Sequence, residues 1–314
     1  MLRLVVRRLF WAAPLVIAVT FSVFVLLALA PGDIAVTIAG ENGTLEQIAE
    51  IRKSLGLDEP LIPRYWTWLT AALHGNLGDS LVQRASVASL IENGIGATAS
   101  LVIVAMIIGL LIGVPAGISA ALSSGSRIAD RAVALFVSLL VAVPSFWVGL
   151  MLVVVISLGA GWLPATGYAP LSGGVLNWLK HVLLPALALS TIVAAEITRQ
   201  LRASMVDVMK LDYITTARAK GLPSWKIVGK HALKNAAIPT VTVAGFRMIE
   251  LVGSAIAVER VFNIHGMASL MGESVLIQDI PVVLGIVLVT SLFVVLINLA
   301  VDLSYGYLNP RTRS

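Results

Sequence analysis

The chain has 314 residues, 58% of them hydrophobic and only 12% charged, with a mean hydropathy of +0.94 and a formal charge of +5. Globular domains are nearer half apolar and a quarter charged, so a water-soluble fold is excluded and lipid must be the solvent for most of this chain. There are no cysteines, which excludes disulfides, thiolate metal sites and thiol catalysis.

A bilayer core of ~30 Å takes about 20 residues of helix, and only helices or closed barrels satisfy their own backbone there. Barrel-type alternation is not seen, so the apolar segments are read as helices, and six spans make the chain an all-α integral membrane protein. The first runs from Leu9 to Ala30 without a charge. Arg3, Arg7 and Arg8 before it and Ala28, Leu29 and Ala30 at its end have the outline of a cleavable signal. Its apolar run exceeds a signal core of about 7–15 residues, so it reads as an uncleaved anchor.

Pro31 to Gly94 follows as a long extracytoplasmic segment with four basic and eight acidic residues. Within it, Thr44 to Leu55 has helical apolar spacing and an acidic first turn, and Gly56 is placed to end the helix. Tyr65, Trp66 and Trp68 read as an interfacial aromatic belt. The second span covers Ile95 to Leu122. No charge occurs between Ala132 and Leu179, a stretch too long for one crossing. It divides at the Gly/Pro-rich stretch Gly159 to Gly174, with the third span before it. The fourth runs from Leu179 to Thr198, the fifth from Ala236 to Val258 and the sixth from Ile280 to Val301. With the N-terminus in the cytoplasm, the tails and loops on that side hold 15 of the 22 basic residues, which places both termini there.

The loop from Arg199 to Asn235 has eight basic and two acidic residues. That charge suits nucleic acid or lipid headgroups, but the pattern is more specific. Ser204 to Lys220 reads as a helix, Gly221 as its stop and Pro223 as a block to continuation, with Ser224 able to cap a second helix near Trp225. Two short helices with a fixed bend make a knob shaped to dock into another protein.

The strings Asp212-Tyr213-Ile214-Thr215-Thr216-Ala217-Arg218-Ala219-Lys220-Gly221-Leu222 and His231-Ala232-Leu233-Lys234-Asn235-Ala236-Ala237-Ile238-Pro239 resemble the cytoplasmic signature of bacterial ABC importer permeases of the dipeptide/oligopeptide and nickel family, first-permease type. Further matches run along nearly the whole chain. They include Ala30-Pro31-Gly32-Asp33, Leu55-Gly56-Leu57-Asp58, Pro144-Ser145-Phe146-Trp147, Leu183-Leu184-Pro185-Ala186 and Asn309-Pro310-Arg311. Thr215 stands where the general signature of such permeases has a glutamate, while Ala217 and Gly221 are kept.

The resemblance implies a type I ABC importer transmembrane domain. Its parts would be a first helix to residue 30, an extracytoplasmic segment 31–94, a permease core 95–303 and a tail 304–314. It also implies that loop 199–235 seats on a cytoplasmic ATPase through Asp212, Tyr213, Thr215, Thr216, Ala217, Arg218, Ala219, Lys220, Gly221, Leu222, Pro223, Trp225 and Lys226. The implied partners are a second homologous permease, two ATPase domains that bind ATP and Mg, and an extracytoplasmic solute-binding protein, all at a bacterial plasma membrane. Related permeases serve dipeptides, oligopeptides, glutathione-like peptides and nickel complexes.

No phosphate-cradling Gly-rich loop ending in Gly-Lys-Ser/Thr is present, so this subunit is expected to be no enzyme and to hold no cofactor of its own. His74, His181, His231 and His265 are scattered without metal-ligand spacing. An ion-coupled secondary transporter would need matched halves with broken helices, and no internal repeat of that kind is found.

The fifth span carries Arg247 and Glu250, each costing roughly 2.5–3.5 kcal/mol at a helix centre unless paired or wet. Thr240, Arg247, Glu250 and Ser254 fall in one stripe about 80° wide at 100° per residue. Two readings stand: the stripe faces the translocation cavity and suits a zwitterionic cargo, or Arg247 and Glu250 neutralise each other and pack against another subunit. Glu196, with Arg199 three residues on, reads as a structural pair.

Overall fold

The computed structural model describes residues 2–40 and 43–308; Met1, Glu41, Asn42 and the tail with Asn309, Pro310 and Arg311 lie outside the described residues. The first four helices are α1 (Leu2–Leu29), α2 (Ile34–Ala39), α3 (Leu45–Ser54) and α4 (Leu61–Leu73). Then come α5 (Val87–Leu122), α6 (Arg127–Ala142), α7 (Ser145–Leu152, continued by a π-helix over Val153–Gly159) and α8 (Val175–Val208). The last are α9 (Asp212–Ala219), α10 (Ser224–Lys226, joined by a π-helix over Ile227–Ala232 to α11, Leu233–Val261), α12 (Met267–Leu276) and α13 (Ile280–Leu308).

Five of these are long and apolar enough to cross a bilayer: α1, α5, α8, the continuous α10–α11 and α13. The expected third span is not one straight helix. Its halves, Asp130–Ala142 and Ser145–Gly159, meet at 89°, and together they make the sixth candidate crossing. The break falls at Val143 and Pro144, where proline lacks an N–H and disfavours helical geometry in the residue before it. Gly159 ends the π-helix, so the predicted loop begins where expected.

The chain packs as two compact units, one of residues 97–264 with the chain from 296 on, the other of 2–96 with 265–295. In the first, α8 is the central span and the most deeply buried of the five. Gly109, Gly113 and Gly117 form a ridge on α5 at every fourth position, and α8 lies directly on it. A Cβ at Gly109 would stand 2.5 Å from Val193 Cγ1, one at Gly113 2.9 Å from the Ala194 carbonyl, and one at Gly117 3.0 Å from Leu201 Cβ. Small residues at this spacing let helix backbones approach in lipid, where dispersion rather than the hydrophobic effect holds helices together. This close seat fixes the rotation of α8 and so decides which of its side chains meet α11.

In the second unit, α3 forms with the expected ends. Thr44 and Gln47 make a reciprocal capping box, and Gly56 leaves the helix at φ +62. Arg52 ties this region together through Asp33 at 2.6 Å and Asp58 at 3.1 Å. Tyr65 departs from the belt expectation. It is buried, exchanges a hydrogen bond with Thr20 at 2.8 Å and donates to the Ile17 carbonyl at 3.0 Å. Just before α13, Asp279 is fully buried and accepts from the Ser80 hydroxyl at 2.5 Å and the Leu81 N–H at 3.2 Å.

Candidate functional site

The basic loop folds differently from the two-helix reading in one respect. Ser204 to Lys220 is not a single helix: α8 ends at Val208, the chain turns at 209–211, and α9 begins afresh at Asp212. The apolar residues explain the turn. Ile214 and Ala217, on the inward side of α9, pack into a cluster with Leu201, Met205 and Ala121, joined by Ile227, Ala232 and Ala236. A straight continuation of α8 would have pointed Ile214 into water, whereas the turn leaves it fully buried.

Two devices fix α9 against the root of α11. Tyr213 donates to the His231 carbonyl at 3.3 Å and accepts from Asn235 Nδ2 at 2.7 Å. At the other end, Gly221 N–H bonds to the Arg218 carbonyl at 2.9 Å and Leu222 N–H to the Ala217 carbonyl at 3.3 Å, the double bond pattern of a Schellman stop, with Leu222 packed on the Ala217 cluster. Gly221 has φ +73, and no atom lies within 4 Å of where a Cβ would stand, so its requirement within this chain is conformational, not one of space. Gly221→Ala is therefore expected to weaken the knob by about 1 kcal/mol and Gly221→Val by more, with Gly221→Asn the mildest. Thermal unfolding of the purified subunit checks that order. Ser224 makes no cap; Pro223 takes the capping position, and α10 runs on into the span.

The remaining predicted contact residues are presented outward. Asp212, Tyr213, Thr215, Thr216, Arg218, Ala219, Lys220, Gly221, Pro223, Trp225 and Lys226 are exposed, Leu222 is half-buried, and only Ala217 faces inward. Trp225 is 72% exposed, and Lys226 lies over its ring at 5.3 Å. Arg218, Lys220, Lys226, Lys230 and Lys234 are exposed together, and none of them joins an ion pair among the described residues. The result is a basic projection with an aromatic tip, packed onto the ends of α8 and α11.

Higher in the same unit, α8 and α11 share a row of charges. Arg247 holds Glu250 at 2.5 Å, one turn on in α11, and its other nitrogen stands 3.5 Å from Glu196 of α8. Glu196 in turn holds Arg199 at 2.5 Å. The pairing of Arg247 with Glu250 and of Glu196 with Arg199 was legible from i, i+3 spacing; the link between the two pairs was not, because it depends on α8 and α11 lying side by side. The four charges cancel. The two inner members are enclosed, Glu196 with 11% and Arg247 with 22% of the side chain exposed, while Glu250 keeps 57% and Arg199 66%.

Thr240 and Ser254 stay outside this row. Thr240 is buried and bonds back to the Ala236 carbonyl, and Ser254 bonds back to that of Leu251. The exposed line on α11 instead runs through Phe246, Glu250, Gly253, Ala257 and Arg260. One further group was not legible in the sequence: Glu259, at the end of α11, is fully buried and accepts from Thr98 of α5 at 2.6 Å. Its position beyond the predicted end of the span hid it.

Known proteins are similar to this chain along nearly its whole length. Residues 113–314 match the family described as binding-protein-dependent transport system inner membrane component, and residues 1–102 match its N-terminal counterpart. A probable peptide ABC transporter permease of Sinorhizobium fredii is 37% identical over 98% of both chains. The glutathione transport system permease of Escherichia coli K12 is 39% identical over 100% of this chain and 99% of its own. The solved inward-facing MetNI methionine ABC transporter superposes with a TM-score of 0.56 at 19% identity, covering 71% of this chain and 97% of its own, a likeness of fold.

Proposed function

Because the chain belongs to the family of binding-protein-dependent transport system inner membrane components, the membrane-spanning permease subunits of ABC importers, we propose that it forms half of a pathway for short peptides, driven through its α9–α10 knob. The observation that carries the reading is the way the knob is built: its polar contact residues other than Tyr213 point outward, while Ile214, Ala217 and the Tyr213 hydroxyl lock it to α8 and α11. A rigid element of this kind passes on movement as a body rather than absorbing it. The ATP and Mg are bound by two ATPase domains on the cytoplasmic side, a second homologous permease completes the pathway, and a solute-binding protein delivers cargo from outside. Residues 95–303 act as the permease core. The concentration of basic residues in the knob supports a bacterial inner-membrane location with both termini cytoplasmic. Catalysis resides in the partner ATPases.

The relatives named for peptides and for glutathione, itself a small peptide, support a peptide cargo. Within the pathway, Arg247 and Glu250 offer one charge of each sign, matched to the carboxylate and ammonium ends of a free peptide, with Glu250 open enough to exchange partners. Reconstitution of the whole assembly in liposomes tests the function: peptide-loaded binding protein should raise ATP hydrolysis several-fold and drive uptake. Stimulation by a nickel complex, with none by any peptide, would replace the cargo reading while leaving the permease assignment intact.

A further inference from the structure

We infer that α4 is inserted sideways into the lipid of the leaflet that surrounds the C-terminal half of α1, its outward face bearing on phospholipid acyl chains, although it belongs to a segment that by sequence lies wholly outside the bilayer. The anchor sets the depth. Thr20 and Ile17, which hold the Tyr65 hydroxyl at 2.8 and 3.0 Å, lie about 14 and 18 Å along α1 from Leu29, at a rise of 1.5 Å per residue. Thr20 is the middle of the apolar run Leu9 to Ala30, so the Tyr65 side chain reaches far into the hydrocarbon region. Phe21 and Phe24 pack on the same ring at 5.0 and 5.7 Å, and Leu69 joins Phe24 and Leu284 in one cluster.

The rest of α4 is built for that surrounding. Ile62, Trp66 and Leu73 are 62%, 54% and 77% exposed and fall within about 40° of one another on the helix. From Tyr65 to Leu73 there is no charge. Both outward hydroxyls are satisfied by the helix itself, Thr67 through the Pro63 carbonyl at 3.0 Å and Thr70 through that of Trp66 at 2.9 Å, which is what a hydroxyl without water requires. Arg64, the one charge in α4, sits at its N-terminal turn, bonded to the Leu57 carbonyl and over the Phe24 ring. Thirteen residues are too few to cross, so the helix enters and leaves on one side. The neighbouring α3 is the contrast, with Glu46, Gln47, Glu50 and Lys53 all exposed and no buried residue. The inference stands on α1 being a span and does not depend on the cargo.

The absence of native cysteine makes the test direct. Spin labels on single cysteines at positions 62, 66 and 73 of the full chain in liposomes should be reached by oxygen and shielded from a water-soluble nickel complex, with the accessibility ratio inverted for Glu50→Cys. Nickel access at 66 and 73 equal to that at 50 would overturn the inference. For the unmodified protein, a phospholipid with a photoactivatable acyl chain should label the tryptic peptide 65–84 as strongly as the spans, and spans labelled without that peptide would overturn it equally.

Discussion

Arg247→Ala is expected to destabilise the subunit by about 2 kcal/mol and to abolish most transport. Removing one partner of a buried ion pair costs about 3–5 kcal/mol because the other charge is stranded. Here Glu196 retains Arg199, whose side chain is 66% exposed, so the stranded charge keeps a partner at the solvent edge and the cost falls below that range, to about 2 kcal/mol. Arg247→Lys should recover only part of the loss, since an ammonium is a point charge and cannot span two carboxylates on different helices as a guanidinium fork does. Glu250→Gln separates the structural role from the functional one. Glu250 is more than half exposed, so the unfolding midpoint should stay near that of the parent, while uptake of peptides with a free amino terminus falls. Normal uptake by Glu250→Gln would leave the pair as a structural lock and remove it from the pathway. The double change Glu196→Gln with Arg247→Met should restore stability without restoring uptake.

Ile214→Asp should have an effect of another kind: cargo uptake lost, with ATP hydrolysis surviving but no longer answering to loaded binding protein. The side chain is fully buried in the cluster that joins α9 to the end of α8, and an ionised carboxylate cannot stay there. The cheapest escape is for α9 to swing off, which leaves its outward residues intact but takes away the rigid link. Ile214→Val removes one methylene and should cost about 1 kcal/mol with the response preserved. Comparing the two by cargo-stimulated ATP hydrolysis in liposomes isolates the packing of the knob from its surface. Loss of response in both, or in neither, would show that α9 does not transmit movement through this cluster.

The sequence by itself determined the membrane class, the places of the spans and the chemistry of the basic loop, because these follow from quantities local to the chain. Runs of apolar residues near twenty long have one stable setting, and Gly221 after a helix, like Gly56 after α3, marks a left-handed stop that few other residues supply. What involves two segments remote in sequence was decided only by packing. The turn at 209–211 carries no breaker and exists because Ile214 must find Leu201 and Met205. Glu196 meets Arg247 because three glycines on α5 fix how α8 is rotated. Tyr65, which composition alone assigns to an interface, is buried because Thr20, 45 residues earlier, offers a partner in the middle of a span. In each case the side chain's own preference was legible, and its satisfaction lay on another helix.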